Sequence, residues 1–304
     1  MKKKCSATVI MQVAATWLIH LRAVGRSRRT ISTYETAIKN LDRFLARRHR
    51  CDPRNVRPSD VEEWRRLLVR TGCQPATVNQ FLRTAGYLFR WLVAEGRVFG
   101  DPTAAVAMGK APGKLGVCPN EKEMRRLLES IHGRDAIARR DRALLELAYG
   151  TGARLEEMVG LDLQSIDLPA GVARLLGKGA RERVVPLTTA AVRALNTYIT
   201  RARPNLVSND EPESALFISS KDGKRLHSSA VAAVVRSRAR RAGFSLTPHA
   251  IRRAVGSHLL RAGAPLAQVK ELLGHQSYRH LHHYLQLYPG QVIAEVRRSK
   301  PGRR

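Results

Sequence analysis

A two-domain protein, mainly α-helical with a small β-sheet in its second domain, is what the sequence predicts, and three observations predict it. Apolar residues recur at helical spacing from Ile10 to Leu92. Asp101-Pro102 and then a proline- and glycine-rich stretch, 109–119 with Pro112, Gly113, Gly116 and Pro119, break the pattern as a linker. Beyond it, the β-rich runs 172–176 and 183–187 flank Gly177-Lys178-Gly179-Ala180-Arg181-Glu182, a hairpin with a glycine-flanked lysine at its tip. A length of 304 residues suits two domains. The expected boundaries are 1–110 for an all-helical domain and 115–304 for an α+β domain.

In the first domain, Ile10, Ala14, Trp17 and Leu21 share one stripe. Lys2, Lys3 and Lys4 before an apolar run have the outline of a secretion signal, but Thr8, Gln12, Thr16 and His20 interrupt it, and the spacing favours an amphipathic helix. After a Ser27/Thr30 start, Tyr34, Ile38, Leu41 and Leu45 mark a second helix. Pro58-Ser59-Asp60 opens a third over 61–68, and Val78, Phe81, Leu82, Ala85, Leu88, Phe89 and Leu92 mark a fourth.

In the second domain, 138–149 reads as a buried helix ended by Gly150 and Gly152, and 154–161 as a short helix after that break. The hairpin follows, then helices over 188–203, 228–242, 248–262 and 266–273, with 204–214 as a polar surface loop.

Charge narrows the function. Lys and Arg number 54 against 25 Asp and Glu, a formal net charge of +29, which calls for an anionic partner. A hydrophobic fraction of 43% supports a real core and excludes a disordered basic tail. Nucleic acid is the usual partner of such a field, through counterion release at each neutralised phosphate. A membrane surface is the competing polyanion, but no run of about 18 apolar residues exists to span a bilayer. Cys5, Cys51, Cys73 and Cys118 show neither disulfide nor zinc spacing and read as free thiols in a reducing compartment.

Single candidate residues carry little weight on so basic a chain. His-x-x-Arg, for instance, occurs at both His249/Arg252 and His258/Arg261. The ordered set carries more: Gly150-Thr151-Gly152-Ala153-Arg154-Leu155-Glu156-Glu157, then Gly177-Lys178-Gly179, then His249-Ala250-Ile251-Arg252, then Leu272-Leu273-Gly274-His275, and Tyr284 nine residues past that histidine. This set resembles the tyrosine recombinase (phage integrase) family, most closely its bacterial Xer-like branch, and the similarity extends over the helical domain to nearly the whole chain. The resemblance implies a two-domain DNA clamp, with 1–110 as a SAM-like core-binding domain and 115–304 as the catalytic domain. It implies a site-specific recombinase that cuts and rejoins double-stranded DNA through a 3′-phosphotyrosyl intermediate, acting in the cytoplasm as a homo-tetramer on paired sites.

Those residue types suit that chemistry. A phosphodiester is broken without losing its energy when a nucleophile keeps the phosphoryl group as an ester, as a phenol does. By the family spacing Tyr284 is that nucleophile, over its neighbours Tyr278 and Tyr288. The transition state places charge on two non-bridging oxygens, which the guanidinium fork fits. The resemblance gives Arg154 and Arg252 this role, with His249 assisting proton transfer and His275 donating to the phosphate. Lys178 is placed to protonate the leaving 5′ oxygen. Glu157 is expected to orient its neighbours. No carboxylate cluster suggests a two-metal site, so neither metal nor small-molecule cofactor is expected.

Arg253 stands where many members of the family have a histidine, and Ile251 where leucine is common; neither change removes a catalytic group. His280, His282 and His283 scatter around one helix and do not read as a metal patch. Two rivals share the fold: a type IB topoisomerase, against which the short chain and the Xer-like first domain speak, and a catalytically silent DNA-binding protein, which need not keep Lys178 or Tyr284. From Leu285 to the C-terminus, Pro289-Gly290 breaks the Tyr284 helix, and Val292, Ile293 and Val296 form a stripe too small to fold alone. It is expected to dock on a neighbouring protomer, with docking on its own domain as the alternative.

Overall fold

The computed structural model describes residues 9–109, 118–177, 181–208 and 213–274, and the chain divides into two units, Met1–Lys114 and Leu115–Arg304.

The first unit holds four helices: α1 (Val9–Ala23), α2 (Arg28–Ala46), α3 (Pro58–Arg70) and α4 (Pro75–Ala94). Their starts are written locally. Ser27 Oγ accepts from Thr30 N at 3.2 Å to cap α2. α3 opens with Pro58, whose missing N–H costs nothing in a first turn, and the Asp60 carboxylate accepts from Arg57 N at 2.9 Å. The four stripes meet over Trp64, Phe89, Ile10, Ile38, Leu41 and Leu45, all fully buried. Trp64 keeps its one polar atom satisfied by donating from Nε1 to Asn40 Oδ1 at 2.8 Å. The break after this unit starts later than Asp101-Pro102 suggests. Asp101 Oδ1 accepts from Thr103 N and Oγ1 at 2.8 and 2.6 Å, and Val106 packs on the core, so this stretch is ordered structure.

The second unit is helical around a three-stranded sheet. In order come α5 (Glu121–Glu129), α6 (Ala136–Thr151), α7 (Leu155–Val159), β1 (Ile166–Asp167), β2 (Val172–Leu176), β3 (Glu182–Pro186), α8 (Thr189–Arg201), α9 (Ser228–Arg241), α10 (Pro248–Arg261) and α11 (Leu266–Leu273). The sheet is antiparallel in the order β1-β2-β3, with Leu176 opposite Glu182 at the turn end of the hairpin. This mainly helical architecture with a small sheet is the fold class expected from the sequence.

α6 is the central helix. Its Ala143, Leu144, Leu145 and Leu147 are fully buried among residues of α5, α8, α9 and α10. It buries charge as well: Asp141 accepts from Arg140 on its own helix and, at 2.9 and 2.7 Å, from Arg238 Nε and Nη2 on α9, while Arg140 Nη1 donates to Ile218 O at 3.0 Å.

Three details differ from the sequence expectation. α6 runs through Gly150 and ends at Gly152, because Gly150 lies where a Cβ would meet Thr188 at 3.3 Å: the glycine serves packing there, not termination. α5 was hidden beside the proline-rich break, although Asn120 and Glu123 cap it reciprocally at 2.9 and 2.7 Å. β1, two residues long, is too short for an alternating pattern. Cys51, Cys73 and Cys118 are free thiols.

Candidate active site

Gly152 begins the site. At φ +61° it adopts the left-handed conformation that closes α6, and a Cβ there would stand 2.5 Å from Leu273 Cδ2 and 3.3 Å from Val255 Cγ1. Only glycine lets the turn lie this close to α10 and α11. Thr151 Oγ1 holds the turn by donating to Leu147 O at 2.7 Å and accepting from Ala153 N at 3.2 Å.

The chain leaves this turn directly into Arg154, the N-cap residue of α7. Glu157 lies three residues on, so its carboxylate folds back: Oε2 accepts from Arg154 N at 2.8 Å and Oε1 from Arg154 Nη1 at 2.7 Å. Nη2 of Arg154 donates to Gly274 O at 2.8 Å, and the Arg154 side chain is still 39% exposed.

Arg252 arrives from α10. Thr247 caps that helix, with Pro248 in its first turn, which places His249 at the exposed start and Arg252 one turn further in, only 4% exposed. Arg252 Nη1 donates to Gly152 O at 2.7 Å and Nη2 to Leu273 O. One arginine thus braces the turn that presents the other.

The Glu157 side chain is 3% exposed, and its charge has partners on two elements. Arg183 of β3 donates to it from both Nη1 and Nη2, at 2.9 and 2.7 Å. Burial pushes this carboxyl up, but the hydrogen bonds from Arg183 and from the Arg154 backbone and side chain more than offset that, holding its pKa at about 2. It is an anion at every physiological pH.

The structure therefore brings Arg154, Glu157 and Arg252 together around the end of α11, with His249 at the exposed start of α10. Lys178, His275 and Tyr284 lie outside the described residues, as does the histidine run before Tyr284 and the segment after it. Two of their immediate neighbours are at the site: a Cβ on Gly177 would lie 3.6 Å from Glu157 Oε1, and Gly274 gives its carbonyl to Arg154. Among the described residues no group of His, Cys, Asp and Glu is arranged to hold a metal ion, and no helix is long and apolar enough to cross a membrane.

Sequence reasoning missed Arg183. A charged residue in a short strand passes for a solvated one. The signal was there: it alternates in phase with buried Val185, so it points to the inner side of the sheet.

Comparison with known proteins bears on the family and the fold. Residues 120–290 match the phage integrase family, and residues 14–96 match its N-terminal SAM-like domain. The chain is 32% identical over 294 residues to tyrosine recombinase XerD of Bifidobacterium longum, covering 94% of this chain and 96% of that protein. It is 33% identical over 297 residues to tyrosine recombinase XerC of Pelotomaculum thermopropionicum, again 94% and 96%. Among solved structures it is similar to XerH site-specific recombinase bound to palindromic difH substrate in a post-cleavage complex, with TM-score 0.73 and 21% identity over 88% of this chain and 78% of that one. It is also similar to the Tn1549 transposon integrase in complex with a circular intermediate DNA, with TM-score 0.71 and 18% identity over 97% and 100%. At those identities the structural likeness speaks for the fold, while the family matches and the curated relatives speak for descent. The chain belongs to the phage integrase family, the tyrosine recombinases.

Proposed function

We propose that this protein, a site-specific DNA recombinase, cuts and rejoins double-stranded DNA through a 3′-phosphotyrosyl intermediate formed on Tyr284, in the cytoplasm and as a homo-tetramer on two paired sites. In this reading the helical unit is a core-binding domain and the second unit the catalytic domain. Tyr284 Oη attacks the scissile phosphorus, the P–O5′ bond breaks, and the 5′ oxygen leaves as an alcohol with a proton from Lys178. His249 assists removal of the phenolic proton, and His275 donates to a phosphate oxygen. Arg154 and Arg252 take up the charge that grows on the two non-bridging oxygens, the work a metal pair does in other phosphoryl-transfer enzymes.

The observation that carries this reading is the convergence of Arg154 and Arg252, from opposite ends of the catalytic unit's sequence, onto the adjacent carbonyls of Leu273 and Gly274. Fixed guanidinium forks beside one another form a site for one phosphodiester, whose two non-bridging oxygens carry the negative charge that grows in the transition state. The relatives named above as tyrosine recombinases, and the solved DNA complexes of similar fold, support DNA as the bearer of that group.

The test is trapping on a suicide substrate, a duplex nicked just downstream of the scissile phosphate, from which the short fragment bearing the freed 5′ hydroxyl diffuses away. The wild-type chain is expected to become covalently attached to the 3′ phosphate, and Tyr284→Phe to bind the duplex with unchanged affinity but form no adduct. An adduct persisting in this variant moves the nucleophile to Tyr278 or Tyr288. EDTA is expected to leave the adduct yield unchanged; a yield that vanishes with EDTA and returns with magnesium ends the metal-free mechanism.

A further inference from the structure

The last turn of α11 ends in three successive carbonyls, those of Leu272, Leu273 and Gly274, and each accepts from a different arginine. Arg183 Nε donates to Leu272 O at 3.1 Å, Arg252 Nη2 to Leu273 O, and Arg154 Nη2 to Gly274 O at 2.8 Å. Carbonyls at a helix C-terminus lack intrahelical donors and carry partial negative charge, so a cation belongs there. Three cations from three elements go beyond satisfying a helix end. Two of them, Arg154 and Arg252, have a reason to be present in the phosphate site. The third has no such role in the reading above, and its fork is committed to the Glu157 carboxylate through both Nη atoms.

The backbone around Arg183 is shaped to admit it. Gly274 sits at φ +62°, and a Cβ there would stand 2.9 Å from Arg183 Nη1 and 3.0 Å from its Cζ. The guanidinium lies flat against the residue that precedes His275. At its other end Arg183 belongs to β3, the returning strand of the hairpin that carries Lys178, and Gly177 N closes that hairpin onto Arg181 O at 2.8 Å. Through Glu157 it also meets the first turn of α7, where Arg154 begins. One planar, five-donor group thus ties three chain segments, each of which bears a candidate catalytic residue.

We propose that Arg183 is a positioning residue for strand cleavage: it sets the spacing between the Lys178 hairpin, Arg154 and the end of α11, while leaving DNA affinity to other residues. This rests on the recombinase reading above. Cleavage geometry is unforgiving, and a displacement of about 1 Å costs on the order of a hundredfold in rate. A lysine at 183 would keep the charge but make one contact where the fork makes three. There is also a pH consequence. Without Arg183, the buried Glu157 loses its strongest opposing partner and its pKa rises, so cleavage acquires an acid-side loss that belongs to this carboxyl, added to the pH profile of the wild-type protein.

The test compares wild type, Arg183→Gln, Arg183→Lys and the double variant Arg183→Gln/Glu157→Gln in single-turnover cleavage of the suicide duplex from pH 5 to 9, with duplex affinity and melting temperature measured alongside. Arg183→Gln is expected to bind within about threefold of wild type, since the loss of one non-contacting cation changes little of the counterion term. Its cleavage at pH 7 is expected to fall on the order of a hundredfold, with the added acid-side loss, which the double variant abolishes because no carboxyl is left to titrate. A purely structural role would lower the melting temperature and leave the pH profile in place. Cleavage at the wild-type rate with the wild-type profile, or affinity and cleavage falling together, overturns the proposal. If Arg183→Gln does not fold, Arg183→Lys decides in the same way. Hydrogen exchange in the DNA-free proteins separates this proposal from the function it rests on. Faster exchange of residues 266–274 in Arg183→Gln, with α6 unchanged, supports the tie even if wild type forms no adduct; equal exchange refutes it.

Discussion

Two of the arginine–carboxylate networks buried in the second unit differ in what they leave open. In one, Arg140 and Arg238 close around Asp141, with side chains 6%, 13% and 5% exposed, and Arg140 also donates to Ile218 O. In the other, Arg154 and Arg183 share Glu157, Arg252 donates to the carbonyls on either side of them, and the Arg154 side chain stays 39% exposed. The first network joins α6 to α9 and faces protein on every side. The second braces a turn, a strand and a helix end, and turns one guanidinium toward solvent. Burial of an arginine, then, does not by itself distinguish the candidate site; what sets the second network apart is that it joins three elements and leaves one guanidinium open. Among the described residues the helical unit has no counterpart, for its buried carboxylate, Asp60, caps its own helix and its core is aromatic and aliphatic.

The sharpest way to break this comparison is to remove one arginine from the open network. Arg252→Ala is expected to lower single-turnover cleavage about 10²- to 10³-fold, the usual effect of losing one donor to a developing oxyanion. Arg252→Lys should recover part of this loss, since it keeps the charge without the fork. If cleavage per folded molecule is unchanged and only stability falls, Arg252 belongs with the closed network and the distinction fails.

The converse experiment acts on the closed network. Asp141→Ala leaves Arg140 and Arg238 as neighbouring buried cations and is expected to cost about 3–5 kcal/mol of stability, measured by denaturant unfolding. Cleavage per folded molecule at low temperature should stay within about twofold of wild type, because sites with no shared partner behave additively. A loss of rate larger than the loss of folded protein would show that the α6–α9 tie reaches the site.

Much of this architecture was legible because its signals are local. Ser27 and Thr30 announce α2 in four residues, Gly152 announces the turn before Arg154, and the spacing of His249 and Arg252 places them one turn apart on α10. The networks were not legible. Arg183 finds Glu157 across 26 residues, Leu272 across 89, and Arg154 finds Gly274 across 120. Nothing in a strand of five residues says which carboxylate will lie beneath it. The same holds for Asp141, whose neighbour Arg140 is adjacent in sequence but whose second partner is 97 residues away on α9. Gly150 misled for a related reason: its meaning depends on Thr188 of another helix, so the residue that reads locally as a stop is in fact a contact.

A third pair sets the scale for polar burial without charge. Tyr149 Oη lies 2.9 Å from His258 Nδ1, joining the last turns of α6 and α10 close to the Gly152 turn, with the rings edge to face at 5.9 Å. Burial lowers the pKa of His258 below its ordinary 6.5 and raises that of Tyr149, so near neutral pH both are uncharged. A neutral hydrogen bond contributes about 1 kcal/mol, and Tyr149→Phe is expected to cost that much, with no dependence on salt. The pH dependence follows from His258. The unfolded chain takes up a proton at about 6.5 and the folded chain only at lower pH, so the stability tied to this group is complete above 6.5 and declines as pH falls below it. Unfolding curves of wild type and His258→Gln at pH 7.5 and 5.5 check this: wild type should lose more stability over that interval than the variant does. Equal losses would mean that His258 accepts its proton in place, and that the α6–α10 junction beside the site tolerates a buried charge after all.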